Sequence, residues 1–220
     1  MTVSAYTTAL GYEALSSVNA VDTNADGSTA VGYEALTALT TGAGNTAVGY
    51  QANVLNTDGA NNTALGYQAT TNGTSVSNST TIGYSALSAS NGSVAIGSQA
   101  QTPSSSGASV AIGYQANAQT YSNVAIGTQA GLNATGNPAG SVWIGHQAGY
   151  SSSQNENDTV AIGYRAARNN SGRYGVYIGA NAGYNSTGDD NIILGRYTNG
   201  VSTTSKSIII GNSATATYRS

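Results

Sequence analysis

Short apolar runs of three or four residues recur along the chain, and each of them ends at a glycine. Aligning the chain on an apolar residue followed by Gly gives thirteen copies, which are clearest at residues 45–52 (NTAVGYQA), 93–100 (SVAIGSQA) and 123–130 (NVAIGTQA). Self-similarity at this short period is typical of repeat proteins whose units stack on one another. The aligned glycines are Gly11, Gly32, Gly49, Gly66, Gly83, Gly97, Gly113, Gly127, Gly145, Gly163, Gly179, Gly195 and Gly211.

Each apolar run predicts a short β-strand, because its residues alternate between two kinds of side chain. In one clear copy, a period of 2 places Val94 and Ile96 on one face and Ala95 on the other. We expect the branched face to point into the coil and to form a stacked aliphatic column. The expected inner column is Leu10, Val31, Val48, Leu65, Ile82, Ile96, Ile112, Ile126, Ile144, Ile162, Ile178, Leu194 and Ile210.

The aligned glycines stand 14 to 21 residues apart, which is enough for two short strands and two turns in each coil. Each strand would then form a parallel ladder with its counterpart in the next coil. We expect the second strand to follow the glycine and to carry the alanine found there, as at Ala52, Ala100 and Ala130.

A three-sided helix of hexapeptides is the main competing architecture for such a short repeat. It needs an aliphatic residue at every sixth position, but Ser90 and Thr102 stand six residues before and after Ile96. The sequence therefore predicts an all-β parallel β-solenoid, a two-sided β-roll of about thirteen coils. Because the repeat fills nearly the whole chain, we expect one repeat domain over residues 1–220, as a segment of a longer fibre.

The second face of the strands carries small side chains where a solvent-facing strand would carry Lys, Glu or Thr. A column of Ala beside a column of Gly allows another backbone to approach closely, and a solenoid this thin buries little apolar surface alone. We therefore expect this face to contact other copies of the chain. The expected contacts between chains are Ala47, Ala64, Ala95, Ala111, Ala125, Trp143, Tyr177, Ile193 and Ile209.

Composition excludes several classes of function. Only 7% of residues are charged, and the chain has six Lys and Arg residues at a net charge of −3. So few cations cannot neutralise a phosphate backbone, so we expect no nucleic-acid binding. The chain contains no Cys, which excludes disulfide frameworks and thiolate metal sites. No apolar run approaches 18 residues, so we expect no membrane insertion.

The repeats resemble two families of fibrous proteins. The segments at 93–100, 109–116 (SVAIGYQA) and 123–130 are similar to head repeats of trimeric autotransporter adhesins. The tyrosine-containing copies at 45–52 and 62–69 (NTALGYQA) look more like shaft repeats of bacteriophage tail fibres. The end of the chain, KSIIIGNSA, resembles the segment before the self-cleaving chaperone of endosialidase-type fibres.

The resemblance implies a left-handed parallel β-roll assembled as a homotrimer, with host attachment as its work. The chain shows no membrane anchor and no heptad stalk, which favours a phage tail fibre in the virion over the head of a bacterial cell-surface adhesin. The implied partners are the chain itself, other tail proteins, and a glycan or protein receptor on the host cell. A trimeric polysaccharide depolymerase with a site between chains is a third alternative.

Residues 22–27 (DTNADG) match the first half of a calcium-binding loop, with oxygen ligands at alternate positions and Gly at the sharp turn. The candidate ligands for Ca²⁺ are Asp22, Asn24 and Asp26. The position of the final glutamate of such a loop is occupied by Tyr33, with Glu34 one residue late. An Asx-rich turn explains the same residues without a metal.

A column of tyrosines follows the glycines, and it is a candidate surface for stacking on sugar rings: Tyr12, Tyr33, Tyr50, Tyr67 and Tyr84, with Tyr114 and Tyr164 further along. The alternative is a structural ladder in which the rings stack coil on coil. His146 stands where Tyr usually does, and we expect it to be an ordinary surface histidine. No nucleophile motif or phosphate loop is present, and the adjacent acids Asp189 and Asp190 point to different sides, so we expect no enzyme activity.

Overall fold

The computed structural model describes residues 6–18, 25–103, 107–119, 122–135, 140–152, 158–198 and 205–213. The chain divides into two compact units, Met1–Ala108 and Ser109–Ser220. In each unit the repeats form a parallel β-solenoid, which confirms the all-β parallel solenoid predicted from the sequence. Over the described residues, the secondary structure is β-strand and turn, and no helix there is long and apolar enough to cross a membrane.

Six strands of three residues form the main sheet of the first unit, and they pair in parallel in chain order. Equivalent residues lie opposite one another, so that Ala30 faces Ala47 and Ala47 faces Ala64. A smaller parallel sheet of two-residue strands lies beside it. The main sheet consists of β1 (Thr8–Leu10), β2 (Thr29–Val31), β3 (Thr46–Val48), β4 (Thr63–Leu65), β6 (Thr80–Ile82) and β8 (Val94–Ile96), and the smaller sheet of β5 (Thr70–Thr71), β7 (Leu87–Ser88) and β9 (Gln101–Thr102).

Seven strands of three residues form the sheet of the second unit, again in chain order and in matched parallel register. Trp143 lies opposite Ala125 on one side and Ala161 on the other, and Tyr177 lies opposite Ile193. The strands are β10 (Val110–Ile112), β11 (Val124–Ile126), β12 (Val142–Ile144), β13 (Val160–Ile162), β14 (Val176–Ile178), β15 (Ile192–Leu194) and β16 (Ile208–Ile210).

The predicted second strand forms only in part. Where it occurs it begins one residue after the alanine, as at Thr70 and Gln101, and Ala52 and Ala130 lie in turns. Hydrogen bonds between successive coils continue through these turns. The backbone N–H of Leu36 donates to the carbonyl of Ala52 in the next coil at 3.0 Å. These alanines are nevertheless fully buried, so they form a second inner column.

The predicted assignment of the two strand faces is wrong, because the small face is the one inside the coil. The expected chain-to-chain contacts are instead buried within their own chain: Ala47, Ala64, Ala95, Ala111, Ala125, Trp143, Tyr177, Ile193 and Ile209. The branched column from Leu10 to Ile210 lies on the outer face, where every described member is at least partly exposed. Leu65 is 46% exposed and Ile210 69% exposed.

Buried asparagines share the interior of the first unit with the small strand residues. Asn45 stands just before its strand, is fully buried, and donates through Nδ2 to the carbonyls of Gly42 and Gly59, both at 2.8 Å. Its Oδ1 accepts the backbone N–H of Asn62 in the next coil at 3.0 Å, and Asn62 repeats the contact with Ser79. Amide groups that hydrogen-bond to turn backbone therefore fill part of the interior beside the alanines of the first unit.

Two large aromatic residues enter the interior of the second unit where glycines make room for them. Trp143 is fully buried. A Cβ atom on Gly149 would lie 2.5 Å from its Cδ1 atom, and one on Gly131 would lie 2.5 Å from its Cε3 atom. Tyr177, which is also fully buried, has the same relation to Gly175 and Gly183. Each large aromatic side chain therefore occupies the space that a side chain on the neighbouring glycines would need, and the interior stays closely packed.

We predict that Gly149→Ala destabilises the solenoid by about 1–3 kcal/mol through overpacking against Trp143. Backbone strain adds to this cost, because Gly149 has a φ of 63°, although Ala167 adopts a φ of 49° at the same turn position, four residues after its aligned glycine. Chemical denaturation of single and double variants measures the effect. In a Trp143→Ala background the cost of Gly149→Ala should fall to the backbone part of about 1 kcal/mol, whereas an unchanged cost would show that the indole is not what excludes a side chain there.

Candidate binding surface

The predicted tyrosine column is a continuous stack of rings in the first unit. Ring centroids of successive residues lie 5.0 to 5.4 Å apart, with interplanar angles of 7° to 14°. The rings remain between 40% and 64% exposed. The stacked residues are Tyr12, Tyr33, Tyr50, Tyr67 and Tyr84.

Backbone hydrogen bonds hold the tyrosines in line. The backbone N–H of Gln51 donates to the carbonyl of Tyr33 at 2.8 Å, and that of Gln68 donates to the carbonyl of Tyr50 at 2.8 Å. Each coil therefore presents its tyrosine one strand spacing from the last, which suits offset stacking of the rings. The structural ladder considered for this column is present.

The stack restricts how a ligand can use these rings. Both faces of Tyr33, Tyr50 and Tyr67 are covered by neighbouring rings, so only ring edges and hydroxyl groups are open to solvent. A sugar ring cannot lie flat on them. A ligand role for the column stays a prediction, and it would depend on hydrogen bonds to a regular row of hydroxyl groups.

A row of amide side chains runs beside the tyrosines. Gln51 donates through Nε2 to Oε2 of Glu34 at 2.6 Å, and Gln68 donates to Oε1 of Gln51 at 2.9 Å. The second unit repeats the pattern, with Gln147 donating to Gln129 at 2.8 Å and Gln129 donating to Gln115 at 3.0 Å. Such amide ladders stabilise stacked parallel strands.

Two glutamates raise the pKa of the first two tyrosines of the column. The pKa of Tyr12 is raised by its hydrogen bond with Glu13 and by the charge of that carboxylate. The pKa of Tyr33 is raised in the same way by Glu34. The two carboxylates therefore favour the neutral, hydrogen-donating form of these phenols.

An open groove of about 300 Å³ lies next to the amide row of the first unit. Polar groups and aliphatic side chains contribute similar shares of its lining. The lining residues are Gln51, Val54, Gln68, Thr70, Ser85, Ala86, Leu87 and Gln101.

The corresponding surface of the second unit carries cations on aromatic rings. His146 is exposed, as expected, and stacks on Tyr164 at 5.2 Å. The guanidinium of Arg165 lies over the same tyrosine, 4.8 Å from the ring centroid, and its Nε donates to Oε1 of Gln147 at 3.0 Å. Arg168 lies between Tyr150 and Tyr184.

The calcium loop predicted from the sequence is only partly described. Asp22 and Asn24 lie outside the described residues, whereas the backbone carbonyl of Asp26 accepts the N–H of Gly44 at 2.9 Å. No cluster of three or more His, Asp or Glu side chains suited to a metal occurs among the residues that are described. Calcium binding stays a prediction.

The adjacent acids Asp189 and Asp190 have different roles: Asp189 forms an ion pair, and Asp190 does not take part in it. Asp189 accepts a hydrogen bond from Nη2 of Arg173 at 2.7 Å, and this hydrogen bond lowers the pKa of the Asp189 carboxyl group. Asp190 is exposed, and its backbone N–H donates to the carbonyl of Arg173 at 2.8 Å. The geometry describes a link between successive coils.

Sequence reasoning missed two features. One is the rows of glutamines, and the other is the arginine sandwich, in which Arg168 lies between Tyr150 and Tyr184. Their signal lies at fixed offsets from the aligned glycines: Gln, Glu or Arg recurs two residues after the glycine, and Tyr150, Arg168 and Tyr184 each stand five residues after it.

Protein-family models and curated proteins both give no match to this chain.

We predict that Tyr50→Ala lowers stability by about 1–3 kcal/mol, because it removes two stacking contacts at once. Tyr50→Phe is the control, since it keeps the ring and removes only the hydroxyl group. Thermal melting monitored by circular dichroism should place the Phe variant near the parent and the Ala variant clearly below it. Equal melting of all three proteins would contradict a stabilising role for the ladder.

Proposed function

We propose that this chain is a segment of a homotrimeric host-attachment fibre of the phage tail-fibre kind, located in the virion. In this proposal about thirteen left-handed coils extend the fibre, and three copies share one long interface. The observation that carries the proposal is the outer face of the main sheets. Its residues are too apolar to be the outside of an isolated solenoid.

The outer face is most apolar in the second unit. All fourteen outward positions of β10 to β16 are Val, Ile or Leu, and each is partly or fully exposed in the single chain. Ile162, Ile178 and Ile192 are 37–40% exposed, and Ile208 is 71% exposed. Seven strands at a spacing of about 4.8 Å make a stripe roughly 30 Å long. A stripe of this kind favours burial against copies of the same chain.

The first unit carries a milder version of this face. Thr occupies the first outward position of β1, β2, β3, β4 and β6, and an aliphatic residue occupies the second. Mixed Thr and aliphatic faces pack less strongly, because each Thr brings a hydroxyl group that must be hydrogen-bonded. We therefore assign the greater share of the assembly energy to the second unit.

The assembly is tested by sedimentation equilibrium. The parent should have three times the chain mass of 21.9 kDa. The double variant Ile162→Thr and Ile178→Thr should dissociate at concentrations where the parent is assembled, because it removes exposed apolar surface while keeping β-branched strand residues. Leu55→Thr is the matched control, since Leu55 is 50% exposed but lies in a turn away from the sheet. A monomeric parent, or equal masses for both variants, would contradict the proposal.

Attachment is tested by binding of labelled trimer to a panel of bacterial strains. Saturable binding to particular strains, competed by unlabelled trimer, is the expected result. No new reducing ends should appear when extracted surface polysaccharide is incubated with the protein, because we propose attachment without catalysis. Release of sugar would favour the depolymerase alternative, and an absence of binding to every strain would oppose the attachment function.

A further inference from the structure

Positive charge is confined to one half of the chain. Residues 1–108 contain no Lys or Arg, whereas all six lie at or after position 165. Only Arg173 forms an ion pair within the described part of the chain. The remaining arginines of that part hold their charge against aromatic rings: Arg165, Arg168 and Arg196.

Arg168 occupies the most developed of these positions. Its guanidinium carbon lies 5.0 Å from the ring centroid of Tyr150 and 5.8 Å from that of Tyr184, which belong to the coils before and after it. The side chain is half-buried, and its Nε is fully buried without a hydrogen-bond partner among the described residues. The side chain reaches solvent in part, so an anion can approach the guanidinium. Aromatic contact on two sides holds the planar donor group in one orientation.

Uncharged amide side chains lie in the same turns as this sandwich or in the turn before it. Asn133 donates through Nδ2 to the hydroxyl oxygen of Tyr150 at 3.1 Å, which leaves the phenol proton available to another acceptor. Asn169 and Asn185, both exposed, form a further amide pair at 3.1 Å beside the arginine sandwich. Amides and phenols next to an oriented guanidinium match a ligand that carries hydroxyl groups together with isolated carboxylates.

We propose that the arginine sandwich of Tyr150, Arg168 and Tyr184, together with Arg165 over Tyr164, binds the carboxylate-bearing sugars of an acidic polysaccharide. This inference rests on the proposed attachment function and names the class of receptor. The guanidinium pairs with the sugar carboxylate, and the neighbouring amides and phenols bind its hydroxyl groups. Nucleic acid is disfavoured, because a net charge of −3 with scattered cations does not match a phosphate at every nucleotide.

The test measures binding of trimer to two carboxylated polymers, polygalacturonate and hyaluronate, by biolayer interferometry at low salt. The methyl-esterified forms of the same polymers are the ligand controls, since they keep the chain and remove its charge. We expect binding to at least one acid form, weakened by added salt, and little binding to the ester. Absence of binding to both acid polymers, or equal binding to acid and ester, overturns the inference.

Variants locate the site. Arg168→Gln should weaken binding by about tenfold or more, because it removes a charged hydrogen bond to the ligand. Arg173→Gln is the matched control: it removes the same charge from an arginine already paired with Asp189, and it should leave affinity within about twofold of the parent. If Arg168→Gln alters the melting temperature, Arg165→Gln provides the same comparison without opening the sandwich. Equal losses from the sandwich and control variants would overturn the assignment.

The two proposals fail in different ways. Trimer that binds whole cells but does not prefer acid over ester overturns the ligand class alone. Trimer that binds no cell type, and no polymer, overturns the attachment function on which the ligand class rests. Whole-cell binding of Arg168→Gln links the two, because it should fall in parallel with polymer affinity.

Discussion

Close backbone approach at one glycine per repeat is the constraint on which the rest of this solenoid depends. A Cβ atom on Gly49 would lie 2.3 Å from the carbonyl oxygen of Gly66, and one on Gly66 would lie 2.7 Å from that of Gly83. These glycines also adopt φ values near +135°, a region that other residues rarely enter. Because neighbouring coils within each unit meet at such points, the side chains that follow the glycines are stacked in register. The tyrosine stack and the glutamine rows are consequences of that register.

The same close stacking sets the polarity of the two strand faces. Turns that return after a few residues leave a thin interior, which is filled by alanine and by asparagines bonded to turn backbone, such as Asn45 and Asn62. Bulky branched residues are then left on the outer face, where one chain cannot cover them. In the proposed assembly the missing apolar burial comes from contact between chains, and the hydrogen-bonding turns are left for the proposed ligand contacts.

The fold could be predicted from the sequence because its period is short and its strands alternate clearly. The tyrosine ladder followed from the same alignment. Which face points inward could not be read from alternation, since a period of 2 defines two faces without saying which is buried. The decisive signal was the asparagine or serine before many strands, such as Asn123 and Ser141, which are buried and linked at 2.8 Å. The arginine sandwich was missed although Tyr150, Arg168 and Tyr184 share one offset from their aligned glycines, because a shared offset does not show that a guanidinium lies between two rings.

The central claim is that alanine lies inside the coil and the branched residues lie on a face that chains share. Since the chain has no cysteine, single substitutions give an unambiguous thiol probe at adjacent strand positions. The most direct measurement is thiol labelling and interchain disulfide formation in native Ala111→Cys and Ile112→Cys. The account predicts that the thiol at position 111 stays unreactive until unfolding, whereas the thiol at 112 links chains covalently under mild oxidation. Rapid labelling at 111 together with protection and no interchain linkage at 112 would contradict it.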